Sequence, residues 1–255
     1  MAKTDGLGDN LYIEGSDLSG DVGAISAISS RKETVDVTGI SSSAIERVGT
    51  RADGNITFNS WFNPTALAAH PVLAALPTTD VEVLYTRGTT RGNPCAALTA
   101  KQVSYDMVEG TDRSLSATID CQGTHSSATA PAGIEWGTLV TAGKDTHAAN
   151  GTSSTGIVET QSTKGGVGFQ QIFSIASGSV TTNLIEDSAD TINGTDGSWG
   201  TLLTFAGNAA VAAERKTVTG TIEKGLRATS TGTFTGFVFA MGFRRGTASD
   251  MTDLS

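Results

Sequence analysis

The amino-acid sequence predicts a mainly β protein in two parts, a larger N-terminal β-sandwich or barrel domain with one short helix and a small C-terminal β-sandwich. Glycine supplies 31 of the 255 residues, well above the roughly 7% that is usual for soluble proteins. Valine, isoleucine, phenylalanine and threonine recur in short runs that alternate with polar residues, as half-buried strands require. Small, turn-forming residues separate these runs, so we expect many short strands.

The alternation is clear along the first part of the chain. Val35 and Val37 fall on one face of a strand and Asp36 on the other, which is the period of two that a strand imposes. Residues 95–106 and 113–121 are the best candidates for a β-hairpin. The strands predicted here are residues 11–15, 21–29, 33–38, 55–62, 80–87, 95–106, 113–121 and 134–141.

Two breaks interrupt these strands. Residues 39–52 carry glycines and a run of three serines, which predicts a long exposed loop. The one clear helix follows the strand 55–62: Asn63 is a good N-cap and Pro64 suits the first helical position. Pro71 should kink the helix and Pro77 should end it.

A domain boundary is expected where large apolar residues disappear. Residues 142–155 are rich in Gly, Ala, Thr, Ser and Asn, a composition typical of a flexible linker. We therefore predict domains over residues 1–145 and 159–255, joined by a linker at 146–158. The second domain has six or seven short strands, which is the spacing of a small immunoglobulin-like or jelly-roll-like sandwich.

The charge distribution excludes a protein that grips duplex DNA. The net charge is −9, and the first 150 residues hold 17 of the 26 acidic and 10 of the 17 basic residues, so −7 of it lies there. Phosphate binding needs a basic surface, and the basic residues do not cluster. We also expect no membrane anchor, because no run of about 18 apolar residues exists.

The two cysteines are expected to be structural. The first ten residues lack the apolar stretch of a secretion signal, so folding in the cytoplasm is expected, with Cys95 and Cys121 reduced. If the hairpin turns near residues 108–110, the two cysteines face each other across its arms. We predict neighbouring, buried thiols without a catalytic or metal role.

No residue pattern indicates catalysis, a cofactor or a resident metal. His70, His125 and His147 lack metal-site spacing, and no nucleophile elbow is present. Residues 137–144 resemble a phosphate-binding loop but have the wrong spacing and lack the required hydroxyl. The acidic stretch from Asp187 to Asp190 could supply oxygen ligands to calcium, although such residues are also common in tight turns.

Several short motifs, in their order along the chain, resemble the major tail proteins of long, flexible-tailed bacteriophages. They are spread along most of the chain, from residue 35 to residue 237, and their combination carries the resemblance. The motifs are VDVTG (35–39) with SSSAIER (41–47), DGNITF (53–58), YTRGTTRG (85–92) with AKQVSYD (100–106), EWG (135–137) with TAG (141–143), IEDSAD (185–190) and FTGF (234–237).

The resemblance implies a tail-tube-like N-terminal domain and a structural role in the virion. Subunits of that family form six-fold rings that stack into a hollow tube, through which DNA passes during ejection. The partners would be further copies of the chain, the tape measure protein and the tail terminator, with assembly in the host cytoplasm. The C-terminal domain would lie outside the tube, where it could meet the host surface.

The loop over residues 39–52 is expected to reach the next ring. Loops of this length are commonly functional. We expect Ile45 to act as an apolar anchor, with Glu46 and Arg47 as polar contacts.

Two other classes share the β-rich composition. An extracellular adhesin or carbohydrate-binding module would carry a secretion signal or exposed aromatic clusters. A capsid decoration or tail-completion protein would form a ring or a cap without a filament. Microscopy of the purified protein separates these classes.

Overall fold

The computed structural model describes residues 6–124, 133–152, 156–189 and 198–246, and it confirms the mainly β fold. The strands are β1 (Asn10–Ile13), β2 (Ser16–Asp17), β3 (Val22–Asp36), β4 (Arg47–Trp61), β5 (Val81–Thr86), β6 (Pro94–Glu109), β7 (Leu115–Gly123), β8 (Glu135–Leu139), β9 (Asp145–His147), β10 (Gly151–Thr152), β11 (Ile157–Val158), β12 (Gly166–Ser188), β13 (Gly200–Phe205), β14 (Ala212–Val218) and β15 (Gly225–Arg245). The helix α1 spans Ala69–Leu73.

Strand β6 takes part in both layers of the N-terminal half. Its first residues pair with β5 along one edge and with β8 along the other, and its second half pairs with β7. Strand β7 pairs in turn with β4, and β4 with β3. The strands β3, β4, β7 and β6 thus form a four-stranded antiparallel sheet from two long hairpins, which we call the extended sheet. Strands β1 and β2 continue the other layer beside β5.

The N-terminal core lies between these two layers. Ile56 and Phe58 of β4 and Ile119 of β7 are fully buried. They belong to one cluster with Val83 of β5 and Leu98 of β6. Burial of each such side chain stabilises the fold by about 1.5–3 kcal/mol. Alternate residues of the extended sheet therefore face the core, and the residues between them face the opposite side of the sheet.

The helix begins later than the sequence predicts. Asn63 is not its N-cap: that position is Ala68, whose side chain makes no capping hydrogen bond. Asp21 supplies the acceptor instead, taking hydrogen bonds from the Ala69 N–H (2.9 Å) and from the Asn63 amide (2.8 Å). Pro71 is tolerated because it lies in the first turn, where N–H groups have no partner within the helix.

The C-terminal half is organised around the long strands β12 and β15. They pair almost from end to end, with register shifts between Ile172 and Ser174 and between Val180 and Thr182. Such bulges let a long strand bend. The sequence predicts shorter strands here, over residues 167–176 and 180–185 within β12 and over 225–229 and 234–245 within β15. Strands β13 and β14 flank β12. The aromatic residues of this core are Phe205, Phe234, Phe237, Phe239 and Phe243.

The described residues between 146 and 158 do not form the flexible linker that their small side chains predict. Strands β9, β10 and β11 all pair with β15, and His147 and Ile157 are buried. Strands of two or three residues are too short to show a period in the sequence. The division into domains over residues 1–145 and 159–255 remains a prediction.

The two halves meet through backbone pairing and a shared apolar cluster. Strand β8 pairs with β15 at Leu139 and Gly242. A Cβ on Gly137 would lie 2.5 Å from the carbonyl oxygen of Phe243, so only glycine permits this close approach. The cluster that joins the halves consists of Tyr12, Leu84, Cys95, Ala97, Phe169, Phe173 and Ala240.

Polar contacts reinforce the same junction. The Gln171 side chain accepts a hydrogen bond from the Gly15 N–H (2.6 Å) and donates one to the Glu82 carbonyl (2.9 Å). Arg215 of β14 forms a two-pronged ion pair with Glu135 of β8, with N–O distances of 2.5 and 2.8 Å. Both partners are buried, and Glu135 also lies 3.6 Å from Arg244. Loss of Glu135 would therefore leave Arg215 as a buried charge without its ion-pair partner.

The prediction of buried, free cysteines is confirmed, but the prediction that they are neighbours is wrong. Cys95 and Cys121 are both free and buried, and burial raises the pKa of each thiol to about 12. However, they are not neighbours, because Cys121 lies opposite Gln102 in the hairpin register and Cys95 lies opposite Gly137 of β8. Cys95 and Gln102 are seven positions apart in β6, which corresponds to roughly 23 Å of strand.

We predict that Gly15→Ala destabilises the junction. Gly15 has a φ of 74°, and a Cβ there would lie 2.3 Å from the Ile172 carbonyl oxygen. We expect a loss of about 2–4 kcal/mol in the free energy of unfolding, from backbone strain and the clash together. Gly92→Ala is the matched control, since Gly92 has a φ of 84° with open space around it; its loss should be about 1 kcal/mol. Equal losses in denaturant titrations would contradict the close packing.

We also predict a pH-dependent stability that originates at Glu82. Burial raises the pKa of this carboxyl to about 7. The negative charges of Glu14 and Glu135 also raise the pKa, whereas the Thr99 hydrogen bond and the positive charge of Arg215 lower it. The folded state therefore holds a proton that the unfolded state releases, so stability falls as the pH rises from about 4.5 to 7. Glu82→Gln should remove this slope and stabilise the protein at pH 8 by about 1–3 kcal/mol.

The measurement is the free energy of unfolding between pH 4 and pH 8. Glu109→Gln, a substitution at an exposed residue of β6, serves as the control and should leave the profile unchanged. A Glu82→Gln profile with the wild-type slope would show that another group is responsible.

Candidate assembly surfaces

The extended sheet presents a polar face opposite the core. Residues paired across the strands share a face, and the register brings Asn55, Thr57 and Asn59 of β4 beside Gln122, Asp120 and Thr118 of β7. We call this surface the polar face. Its further members are Ala24, Ala27, Ser29 and Arg31 of β3, Asp53 and Trp61 of β4, Ser116 of β7, and Lys101, Ser104, Asp106 and Val108 of β6.

Asp120 is the centre of a hydrogen-bond network on the polar face. One carboxylate oxygen accepts from the Asn55 amide (2.8 Å) and the Thr57 hydroxyl (3.0 Å), and the other accepts from the Gln122 amide (2.8 Å). Burial alone would raise the pKa of Asp120, but these three hydrogen bonds together outweigh it and lower the pKa. The network holds the carboxylate ionised and fixes the side chains around it.

The polar face carries a small negative charge. Asp53, Asp106 and Asp120 stand against Arg31 and Lys101, so three acidic and two basic residues leave −1. Lys101 is also paired with Asp80, at 2.6 Å. The surface therefore offers no concentrated positive charge to a polyanion.

Both edges of the extended sheet are open. In the part of the chain that the structure describes, β3 pairs with β4 alone. Beyond the end of β5, the segment of β6 from Gln102 to Glu109 pairs with β7 alone. Open edges of this length are templates for pairing with another chain.

The loop at the tip of the β3–β4 hairpin is shorter than predicted. Strand β4 begins at Arg47, opposite Asp36, so residues 47–52 belong to a strand and the loop is 37–46. Ile45 is exposed. The Glu46 N–H donates to the Thr38 hydroxyl (2.9 Å), and the Glu46 carboxylate accepts from the Ser42 hydroxyl (3.1 Å). The roles of Ile45, Glu46 and Arg47 remain predictions, but the structure places all three at this tip.

Exposed apolar side chains gather at the two ends of the extended sheet, a feature that the sequence analysis missed. At the tip of the β3–β4 hairpin lies the tip surface, and at the opposite end of the sheet, around the turn between β6 and β7, lies the base surface. The tip surface comprises Val35, Val37, Ile40, Ile45 and Val48, and the base surface comprises Trp61, Leu67, Met107, Val108 and Leu115. Such patches are uncommon on monomers and mark interaction sites.

The other groups considered for chemistry have structural partners or lie outside the described residues. His70 contacts the Tyr105 hydroxyl at 2.9 Å, and His147 packs edge-on against Phe239. Asp187 accepts a hydrogen bond from the Glu223 N–H (2.9 Å). His125 and Asp190 lie outside the described residues. Within those residues, no group of three or more His, Cys, Asp or Glu could hold a metal, and no helix is long and apolar enough to cross a membrane.

Solved structures from bacteriophages are among those similar to this chain. No protein-family model and no curated protein sequence matches it. The crystal structure of Dit (gp 19.1) of phage SPP1, presented as a paradigm of the hub adsorption apparatus in phages that infect Gram-positive bacteria, is 8% identical with a TM-score of 0.32, over 94% of this chain and 99% of that one. The phage p2 baseplate, activated with Sr, gives 9% identity and a TM-score of 0.32, over 93% and 98%.

We predict that Asp120→Ala weakens the polar face measurably. Three hydrogen bonds to one carboxylate are lost, and the groups around it are partly buried, so the free energy of unfolding should fall by about 1–2 kcal/mol. Asp106→Ala is the matched control, because Asp106 is an exposed carboxylate on the same face; the change should stay within about 0.5 kcal/mol. Indistinguishable unfolding curves would contradict a structural network.

Proposed function

We propose that the chain is a structural component of a bacteriophage tail, and specifically the subunit of ring-shaped hexameric stacks that form the tail tube. The single observation that supports this best is the extended sheet, which has a hydrated polar face and two open edges at opposite sides. The sequence resemblance to major tail proteins supports the same proposal.

Open edges at opposite sides of one sheet favour a head-to-tail ring. If β3 of one copy pairs with the free segment of β6 in the next, each copy uses two different edges and the interface repeats by rotation. A heterologous contact of this kind closes into a ring when the rotation permits. Closure removes the free edges altogether.

The polar face would line the lumen of such a ring. The opposite face is already covered by the core, so only the polar face can meet a water-filled channel. Six copies of four strands give 24 strands, and at about 4.8 Å each these form a circle of about 37 Å diameter between backbones. Side chains of about 5 Å on each wall leave about 27 Å, and strand tilt widens it further. Duplex DNA is roughly 20 Å wide and would pass.

The charge of the lining suits passage without binding. DNA adheres to proteins through phosphate contacts with Lys and Arg, and the polar face has a net charge of −1 by the count above. We propose that the DNA slides past hydrated amides, hydroxyls and a few carboxylates. The tape measure protein and the tail terminator are the proposed partners at the lumen and at the end of the tube, and the C-terminal half would lie outside the wall.

Electron microscopy of the purified protein tests this function directly. We expect rings or tubes with a central channel of about 20 Å plus clearance. Particles that remain monomeric at high concentration would overturn the tail-tube proposal. Closed rings or caps that never grow into tubes would favour the capsid decoration or tail-completion class.

Proline substitutions on β3 test how the ring closes. Successive N–H groups of an antiparallel strand point alternately towards and away from the paired strand. Of Ser29→Pro and Ser30→Pro, one should therefore keep the β3–β4 pairing and lose only an outward donor. We expect that variant to fold with a melting temperature within a few degrees of the wild type but to sediment as a monomer.

The alanine substitutions at the same two positions are the controls, and both should form rings. A folded proline variant that still assembles into normal rings would show that the β3 edge is not the lateral interface.

A further inference from the structure

We infer that the tip surface of one copy docks on the base surface of a second copy in the adjacent ring, with Arg47 facing Asp112 and Glu46 facing Arg113. The inference rests on the proposed function and names the two surfaces that stack the rings. It goes beyond a loop that reaches the next ring because it identifies the receiving surface.

The first argument is the concentration of apolar side chains. The large hydrophobic side chains that are exposed in the described residues number fifteen, and ten of them make up the tip and base surfaces. Ile40 and Ile45 at the tip and Trp61 and Val108 at the base are each more than half exposed. Each surface is an apolar area that a soluble chain would normally cover.

The second argument is their placement at opposite ends of the same strands. Strand β4 starts at the tip with Arg47 and ends at the base with Trp61, a length of roughly 46 Å at 3.3 Å per residue. Trp61 lies opposite Ser116, which in turn lies opposite Val108. A copy displaced along the strand direction by about this length brings its tip to the base of the first.

The third argument is charge complementarity at the two turns. Glu46 is the last residue of the tip loop and Arg47 is the first of β4. Asp112 and Arg113 lie in the connection between β6 and β7. None of the ion pairs within the described residues involves these four side chains. The Asp112 carboxylate accepts hydrogen bonds from the Ser114 hydroxyl (2.7 Å) and N–H (3.1 Å), which orients the turn.

One kind of head-to-tail contact covers both surfaces. A tip-to-tip contact would join two rings and leave both base surfaces exposed, so further growth would need a second, base-to-base interface. A tip-to-base contact repeats without limit, as an open heterologous assembly does. The charged dipeptides then set the rotation between rings, because opposite charges favour one register and like charges disfavour the others.

Charge reversal tests the pairing, with ring formation as an independent readout. Arg47→Glu alone and Asp112→Arg alone should leave rings intact, and each should raise the protein concentration needed for tubes by about tenfold or more, since six such contacts act per ring interface. The double variant R47E/D112R should restore tube length in negative-stain images. Glu46→Lys alone and Arg113→Glu alone should likewise impair tube formation, and the double variant E46K/R113E should restore it.

The apolar contact has its own variant and control. Ile40→Asp, at a fully exposed position that folding does not need, should yield rings without tubes. Val158→Asp introduces the same charge at an exposed valine away from both surfaces and should leave tubes normal. Normal tubes from Arg47→Glu and Ile40→Asp, or no rescue in either double variant, would overturn the stacking model. Absence of rings in the wild type would instead overturn the tail-tube function.

Discussion

The position of β6 between two cores is the constraint on which the rest of the structure depends. Residues 95–100 are buried on both faces: Ala96, Leu98 and Ala100 face the N-terminal core, and Cys95 and Ala97 face the cluster shared with the C-terminal half. A strand enclosed on both sides must match the space on each face, since interiors are closely packed. Ala96 and Ala100 on one face and Cys95 and Ala97 on the other are small, which lets the two layers and the C-terminal half approach this strand closely.

The same strand then leaves the core and creates the exposed surfaces. After the register shift between Gln102 and Ser104, β6 is covered on one face at most, and its outer edge has no partner in the described residues. Strand β3, at the other side of the extended sheet, likewise has an outer edge without a partner strand in the described residues. Long open edges usually carry protective devices such as inward charges or prolines. Neither β3 nor the free segment of β6 contains proline, but β3 carries Arg31, Lys32 and Glu33 and pairs with β4 through three register shifts. An assembly that closes this edge must therefore match a charged and irregular strand.

The junction between the halves limits how the C-terminal half can move. Three contacts hold the halves together at separate points. They are the backbone pairing of β8 with β15, the close contact at Gly15 and the buried ion pair of Glu135 with Arg215. Buried ion pairs stabilise a fold weakly but penalise geometries in which either charge loses its partner. In the proposed tube, the C-terminal half would accordingly be fixed to the wall with a defined orientation.

The sequence by itself determined the strand content, the buried faces and the reduced, buried cysteines. The alternation of Ile56 and Phe58 with Thr57 and Asn59 is a local pattern with a period of two, so it can be read without the fold. Local composition misled at residues 146–158, because small polar residues predict a linker and the strands there are stabilised only by β15. Local composition also placed the start of α1 wrongly, at Asn63. The N–H of Ala69 at the true start donates to Asp21, which is distant in sequence.

Only the tertiary structure decided which strands became neighbours. The hairpin register separates Cys95 from Cys121, and the pairing of β6 leaves its second half with an open edge. The two ends of the extended sheet collect apolar residues from three segments of the chain, 35–48, 61–67 and 107–115. These features arise from pairings between residues far apart in the chain, and a one-residue change of register would place every side chain on the other face. The sequence pattern constrains the faces of each strand, but the choice of partner depends on the packing of the whole molecule.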